Sequence, residues 1–345
     1  MTRTFTGRLL KAIWNHPDIY SAELPYNLNW ARPLGGDAVA LLKKSPLVVC
    51  DVGARGGAPL ELEPFFEGID YIAFDADAAE CARLAKVPHP HASARMFPYF
   101  ITDRARPVTF RIFKQPGQSS EYLPDKAYVE TLADDGFAVE SEVTLEGKSL
   151  DEVRALEKLP QPDFLKLDTQ GSEASILDGT AETVKAISMM EIEIEFLRGY
   201  EGQAMAADVL QRLERIGFEP LYLNRVTERR RDFRSRPGRG QLVFGDILAG
   251  RRLQDVVAWP VERQAKYALL LANYGFLGHA RELLGRTPAI RTLLPEFSAR
   301  IESYRIPGRI ARAWNRFLEK TIVLALYLRG GQRGGYESDR GWPVD

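Results

Sequence analysis

Leu47-Val48-Val49-Cys50-Asp51-Val52-Gly53-Ala54-Arg55-Gly56-Gly57 decides how this chain is read. An apolar run of strand length meets a carboxylate and then a glycine-rich turn. A second apolar run, Tyr71-Ile72-Ala73-Phe74, ends in Asp75, 22 positions after Gly53. Strand, glycine turn, connecting segment and a second strand closed by a carboxylate make the nucleotide-binding half of a doubly wound sheet. In such sheets ligands gather at the carboxyl ends of the strands.

Working outward, strands and helices alternate from residue 46 to about 250. Asp77 is placed to cap a helix through residues 78–84. Residues 95–101 read as a third strand ending at Thr102-Asp103, and residues 108–113 as a further strand before the turn-rich stretch 115–120. Residues 126–136 read as helix. The strongly apolar run 163–168 is a strand ending in Asp168, with a helix starting at Ser172 or Glu173. Residues 187–196 form the next strand, followed by a helix through 207–213. Residues 218–223 and 241–247 close the set as an antiparallel pair. This cadence predicts an α/β fold with a largely parallel sheet.

Four units follow: an N-terminal helical extension (1–45), the α/β domain (46–250), a C-terminal helical region (251–329) and a flexible tail (330–345). In the extension, Leu9, Leu10, Ile13 and Trp14 share one helical face, suited to packing on the domain edge or to a membrane surface. In the helical region, Tyr267, Leu270, Leu271, Tyr274, Leu277 and Leu284 keep helical spacing, with a further helix at 310–328. These helices suit homo-oligomer formation or a lid.

The 345 residues are 45% hydrophobic and 27% charged with a formal net charge of -1. That is globular composition, without the basic excess of a general nucleic-acid binder. Cys50 and Cys81 cannot make a disulfide framework, and the four histidines lack metal-ligand spacing, so no metal is expected. No apolar run reaches the roughly 20 residues of a spanning helix. Nor is there an apolar leader with a cleavage site. A cytoplasmic protein without a transmembrane segment is expected.

Three carboxylates, Asp51, Asp75 and Asp168, stand at predicted strand ends. Asp75 has the spacing of a ribose-binding carboxylate; its bland alternative is a helix cap. Gly53, Gly56 and Gly57 lack the spacing of a dinucleotide fingerprint, and no GxxxxGK[ST] loop is present. The form Asp-x-Gly-x-x-x-Gly suits S-adenosylmethionine, which has no phosphate and carries an ammonium that Asp51 can help to neutralise.

Read together and in order, 51–57, Ala73-Phe74-Asp75-Ala76-Asp77, Ile101-Thr102-Asp103, the block 163–173 and the block 193–200 with Gly217-Phe218 resemble the motifs of FkbM-type methyltransferases. The resemblance covers residues 46 to 250. It implies a class I, Rossmann-like methyltransferase with a mostly parallel seven-stranded sheet, here with an added C-terminal helical region. It also implies S-adenosylmethionine-dependent O-methylation, often of sugars or secondary metabolites. Asp51, Gly53, Ala54, Arg55 and Gly57 would border the methionine part, Asp75 and Ala76 the ribose, and Asp103 the adenine amino group. Asp168 would be the base that takes the acceptor's proton, and Glu173 would orient substrate or favour its helix N-terminus. Lys166, unusual in an apolar strand, is expected to pair with a carboxylate such as Glu193. Glu191, Glu193 and Glu195 share one strand face. Arg55, Asp75-Ala76 and Gln170 depart from the family's commoner residues, and Gln170 weighs against a metal in its loop.

Arg225, Arg229, Arg230, Arg231, Arg234, Arg236 and Arg239 could grip an anionic acceptor such as a phosphate or uronate, or lie in a solvated loop. Rival readings are methylation of RNA or a protein amine, which the neutral charge disfavours for RNA, and a non-catalytic methyltransferase-like scaffold.

Overall fold

The computed structural model describes residues 35–132, 135–233, 240–303 and 336–338. The expected helices within 1–34 and 310–328, and Arg234, Arg236 and Arg239, lie outside the described residues. In chain order the elements are α1 (Gly36–Lys44), β1 (Leu47–Val52), a 3-10 segment (Leu60–Gly68), β2 (Ile69–Phe74), α2 (Ala78–Leu84), β3 (Ser93–Phe97), β4 (Phe100–Thr102), β5 (Arg106–Phe113), α3 (Lys126–Thr131), β6 (Val139–Ser149), α4 (Leu150–Leu156), β7 (Phe164–Leu167), α5 (Glu173–Asp178), β8 (Met189–Glu195), α6 (Ala206–Arg215), β9 (Phe218–Glu228), β10 (Gln241–Arg251), α7 (Leu253–Val256), α8 (Val261–Asn273), α9 (Leu277–Arg286), α10 (Ala289–Leu293), α11 (Pro295–Ser303) and β11 (Tyr336–Ser338).

The main sheet runs β3-β2-β1-β7-β8-β10-β9-β11. Pairings from β3 to β8 are parallel, whereas β10 is antiparallel to both β8 and β9. Removing the short edge strand β11 leaves the seven strands of a class I methyltransferase. The order reverses between β1 and β7, the switch point where such sheets open a crevice. β11 comes from the segment expected to be a free tail: Tyr336 lies opposite Glu228 and Ser338 opposite Val226. An extra three-stranded sheet, β4-β6-β5, stands apart. It accounts for two differences from the sequence reading. The expected strand 95–101 divides at Pro98 into β3 and β4, which enter different sheets, because proline cannot donate to a ladder. And β6, absent from the sequence reading, pairs along its length with β5.

Alternation along the strands assigns two faces. Val48, Cys50, Leu165, Leu167, Ile192 and Ile194 pack in one core with Leu150, Ile176 and Val209. Leu47, Val49, Tyr71, Phe164 and Met189 pack on the opposite face with α1, the 3-10 segment and α8–α11. The C-terminal helices therefore share the sheet's own core. Every residue of α8 from Gln264 to Asn273 is buried, and only its first turn, Val261 to Arg263, is partly exposed.

Burial on all sides requires that α8's polar groups find partners. The Gln264 amide donates to Trp259 O at 2.6 Å and Asn273 to Glu61 O at 2.9 Å. Tyr267 donates its hydroxyl hydrogen to Arg251 O at 2.8 Å. Lys266 Nζ reaches Pro46 O at 2.8 Å and Asp163 Oδ2 at 3.0 Å, while the same Asp163 oxygen accepts the Val48 amide at 2.9 Å. This buried ion pair ties α8 to the start of β1 and to the residue before β7. Among the described residues no helix is long and apolar enough to cross a membrane.

Candidate active site

Where the helical roof stops, the face that carries Val49, Phe164 and Met189 continues toward the strand ends as Asp51 on β1, Lys166 and Asp168 at the end of β7, and Glu191, Glu193 and Glu195 on β8. Asp51 lies beside Lys166, and Lys166 beside Glu191, in the parallel register. Asp246 on β10 lies opposite Glu193. A polar crevice thus begins where the apolar core ends, on the same strands.

The glycine turn forms its donor-side wall. Gly53 N and Ala54 N donate to Phe74 O at 2.9 and 3.1 Å, folding the turn over the end of β2. Gly53 has φ 84° and Gly56 and Gly57 have φ 95° and 94°, values that favour glycine. A β-carbon at Gly56 or Gly57 would meet nothing within 4 Å, so the turn faces open space. Asp51 is 1% exposed; Oδ2 accepts the Tyr71 hydroxyl at 2.7 Å, whereas Oδ1 has no partner. Burial raises its pKa, opposed by the Lys166 charge and the Tyr71 hydrogen bond. Arg55, at an expected small-residue position, reaches Asp77 Oδ2 at 2.9 Å and pins the turn to the cap of α2. That cap is Asp77, as the sequence predicts; Asp75 serves the step before it, its Oδ1 accepting the Asp77 amide at 2.8 Å. Among the described residues no hydrogen bond reaches Asp75 Oδ2. An orphaned buried carboxylate oxygen, a free carboxylate oxygen one strand away and an open glycine cradle suit a ligand with an ammonium at one end and ribose hydroxyls beyond it. S-adenosylmethionine fits that donor set.

Asp103 stands differently from its sequence assignment. It follows β4 in the extra sheet, and its two oxygens take Thr102, Arg106 and Arg104. The space next to Asp75 is instead a cavity of about 220 Å³ lined by Ala76, Pro98, Tyr99, Phe100, Leu145, Glu146 and Lys148. Tyr99, Leu145 and Lys148 carry no signal of this role in the sequence, because β6 brings the last two there from far along the chain.

The acceptor-side wall centres on Asp168. Its carboxylate is partly exposed, and Oδ2 receives Lys166 Nζ at 2.9 Å. The expected Lys166–Glu193 pair is thereby corrected: Lys166 and Asp168 project from one strand face two residues apart, so the ammonium meets its own strand's carboxylate first. Burial draws the Lys166 pKa down, but the charges of Asp168, Asp51 and Glu191 outweigh it and hold it above the usual lysine range. Glu193 receives Gln170 Nε2 at 2.8 Å instead. Burial, then the charge of Asp168, lifts Glu193 well above the usual carboxylate range. Burial and neighbouring carboxylates, Glu61 foremost, push Glu191 up to about 8. Asp246 is pushed up to about 6 by burial and then by Asp168.

Glu173 faces its own loop. Its carboxylate accepts Thr169 N at 2.7 Å, Thr169 Oγ1 at 2.9 Å and Gly171 N at 3.0 Å, so it braces residues 169–171 rather than reaching a substrate. The arginine stretch also resolves: Arg225 lies within β9, opposite Gly245, Arg229 is buried, and Arg230 donates to Gln241 Oε1 at 3.2 Å. Among the described residues, the side chains on Asp168 are Lys166 and Gln170, with Glu193 and Glu195 nearby in charge. Gln170, noted in the sequence only as a departure from the family's commoner residue, and Tyr200, given no role there, complete this wall.

Residues 51–220 match the family model of the methyltransferase FkbM domain. The chain is similar to 2-O-methyltransferase NoeI of Sinorhizobium fredii, 24% identical over 185 residues, which is 51% of this chain and 74% of that protein. Distant solved structures include magnesium protoporphyrin IX methyltransferase (ChlM) from Synechocystis PCC 6803 with bound SAM, 14% identical with a TM-score of 0.31, over 70% of this chain and 91% of that one. Another is the Burkholderia thailandensis 1,6-didemethyltoxoflavin-N1-methyltransferase, 14% identical with a TM-score of 0.28, over 71% and 85%.

Proposed function

We propose, for a chain whose residues 51–220 form an FkbM methyltransferase domain and which is an S-adenosylmethionine-dependent methyltransferase, that the group it methylates is a hydroxyl of a carbohydrate or related polyhydroxylated metabolite. The observation that carries this is Asp168, paired with Lys166 at the end of β7, next to a wall rich in carboxyl groups. Asp168, Glu193, Glu195 and Asp246 influence one another's charge there. Asn224 donates to Asp246 at 3.2 Å and keeps a buried oxygen without a partner. Carboxyl groups accept hydrogen bonds and, when protonated, also donate, and sugar hydroxyls can answer in both senses. The 2-O-methyltransferase name of the NoeI relative supports an oxygen acceptor.

Bound S-adenosylmethionine supplies a methyl group on a positively charged sulfur. Asp51, Gly53 and Gly57 would hold its amino-acid end, Asp75 its ribose, and the cavity at Ala76 and Tyr99 its base. Lys166 orients Asp168, and Asp168 takes the proton that the acceptor oxygen sheds as its bond to the methyl carbon forms and the carbon–sulfur bond breaks. A positioned base of modest strength suffices, since an oxygen becomes acidic as it is methylated, and positioning supplies much of the remaining rate.

Calorimetry with S-adenosylhomocysteine and tritium transfer from labelled S-adenosylmethionine into fractionated cell glycans, small metabolites and RNA test the reading. We expect binding by the wild type, label in the glycan or metabolite fraction, and a roughly 10²–10⁴-fold slower rate for Asp168→Asn with binding retained. Label confined to RNA, or an Asp168→Asn variant as fast as wild type, would sink it.

A further inference from the structure

Gln170 is one of two non-glycine residues with positive φ among the described residues, at 58°. A non-glycine residue in the left-handed region is strained and persists only where its surroundings hold it there. Its surroundings do. Ser120, fully buried, donates its hydroxyl hydrogen to Gln170 O at 2.7 Å. Tyr200, 2% exposed, donates to Gln170 Oε1 at 2.8 Å. Gln170 Nε2 then faces two carboxyl groups, Glu193 Oε2 at 2.8 Å and Asp168 Oδ1 at 3.3 Å. The amide's orientation follows from these partners. Turned over, Oε1 would face the Asp168 carboxylate that Lys166 pairs with, so the nitrogen is assigned to this side.

We propose that Gln170 is a positioning residue for methyl transfer: its amide, held by Tyr200 on a backbone that Ser120 fixes, gives one N–H to Glu193 and one to Asp168 and so aims the Asp168 carboxylate at the acceptor hydroxyl. The proposal rests on the reading of Asp168 as the acceptor's base. Three separate stretches meet at this side chain: the loop after β5 through Ser120, β8 through Glu193, and the loop after β8 through Tyr200. Asp168 is held from both sides, by the Lys166 ammonium on Oδ2 and by the Gln170 amide on Oδ1. Burial and the Asp168 charge raise Glu193 well above the usual carboxylate range, and the amide links this carboxyl group to the one that receives the acceptor's proton. A glutamate at 170 would break this link, since an ionised carboxylate has no hydrogen to donate to either neighbour.

Gln170→Asn is the decisive variant. Asparagine tolerates the left-handed backbone, yet its side chain is one methylene shorter and cannot span from Tyr200 to Glu193. Full-length wild type, Gln170→Asn, Gln170→Glu and Tyr200→Phe are compared by thermal unfolding, S-adenosylhomocysteine calorimetry, tritium transfer into the glycan fraction, and NMR of protein carrying carboxyl-labelled glutamate, with the Glu193 signal assigned by its loss in Glu193→Gln. For Gln170→Asn we expect unchanged unfolding and cofactor-product affinity, a Glu193 titration moved further upward, and kcat at least tenfold lower at constant KM. Gln170→Glu should lose rate as pH rises where the wild type does not, and Tyr200→Phe should move the Glu193 signal in the same direction as Gln170→Asn. An unmoved Glu193 signal in both Gln170→Asn and Tyr200→Phe, a wild-type rate in Gln170→Asn, or a rate loss matched by lost folding or lost product binding would overturn the proposal. A moved Glu193 signal with no glycan label in the wild type would uphold the positioning while refuting the proposed acceptor class.

Discussion

A β-carbon added at Gly53 would lie 1.8 Å from the Asp168 carbonyl oxygen and 2.7 Å from its carbonyl carbon. Both atoms are backbone, fixed by the Asp168 amide's bond to Val52 O at 3.0 Å, so no side-chain movement can relieve the overlap. Gly53→Ala should therefore carry roughly 1–2 kcal/mol for its left-handed backbone and a further 1–3 kcal/mol for overpacking. Gly56→Ala, facing open space at φ 95°, carries the first cost alone. Urea unfolding of the two variants should rank them in that order, and Gly53→Ala alone should lose S-adenosylhomocysteine binding; equal stability would contradict the packing. At this scale the sequence was informative about identity and poor about direction. The spacing of Asp51, Gly53 and Asp75 placed them together at one sheet edge, where the structure has them, because strand ends and tight turns are local. Which carboxylate Lys166 would meet, and that Glu173 would turn back on its own loop, depend on side-chain reach across neighbouring strands.

Among the elements, α8 shows what pattern reading misses. Its spacing suggests one apolar stripe, but the helix is enclosed on all sides, and its signal is the unbroken run Ala268–Ala272 with small residues at the crossings. The Lys266–Asp163 pair holds it to β1 and β7 with side chains only 10% and 9% exposed. Lys266→Ala leaves a buried carboxylate facing the Val48 amide alone, so we expect a loss of about 3–5 kcal/mol in denaturant unfolding. A change under about 1 kcal/mol would mean that the pair contributes little. β6 was legible in part. Val139, Ser141, Val143 and Leu145 alternate with glutamates and Thr144, a strand pattern, but its first six residues are exposed, so no apolar face announced it. Ser149 and Glu152 do announce α4: they form a reciprocal capping box, at 3.2 Å and 2.7 Å.

Over the whole molecule, the carboxyl groups of the crevice share one sign of shift. Glu191 is pushed to about 8, Asp246 to about 6, and Glu193 and Glu195 are raised well above the ordinary range, in each case first by burial. Acids with raised folded-state pKa values hold protons that the unfolded chain has released. Between the ordinary carboxylate range near 4 and pH 8 the folded state thus binds more protons, and stability falls as pH rises. The ligand-free protein should unfold at lower temperature at pH 8 than at pH 6, and Glu191→Gln should flatten that slope. Stability that climbs from pH 6 to pH 8 would contradict the assignment. Asp77 and Asp103, whose pKa values are lowered, oppose this only below the ordinary carboxylate range.

The extra sheet formed by β4, β5 and β6 touches the acceptor loop through few groups: Ser120 on Gln170 O, Glu121 on Ser172 Oγ, and Tyr122 against Gly171. The donor turn, by contrast, is locked to Asp168 with no room for a single carbon. The molecule consequently divides into a fixed chassis and an exchangeable cassette. We expect substitutions between residues 104 and 144 to change what the loop 169–171 meets without touching Leu145, Glu146 and Lys148 in the cavity at Ala76, which makes that shorter segment the place to graft new acceptor preferences.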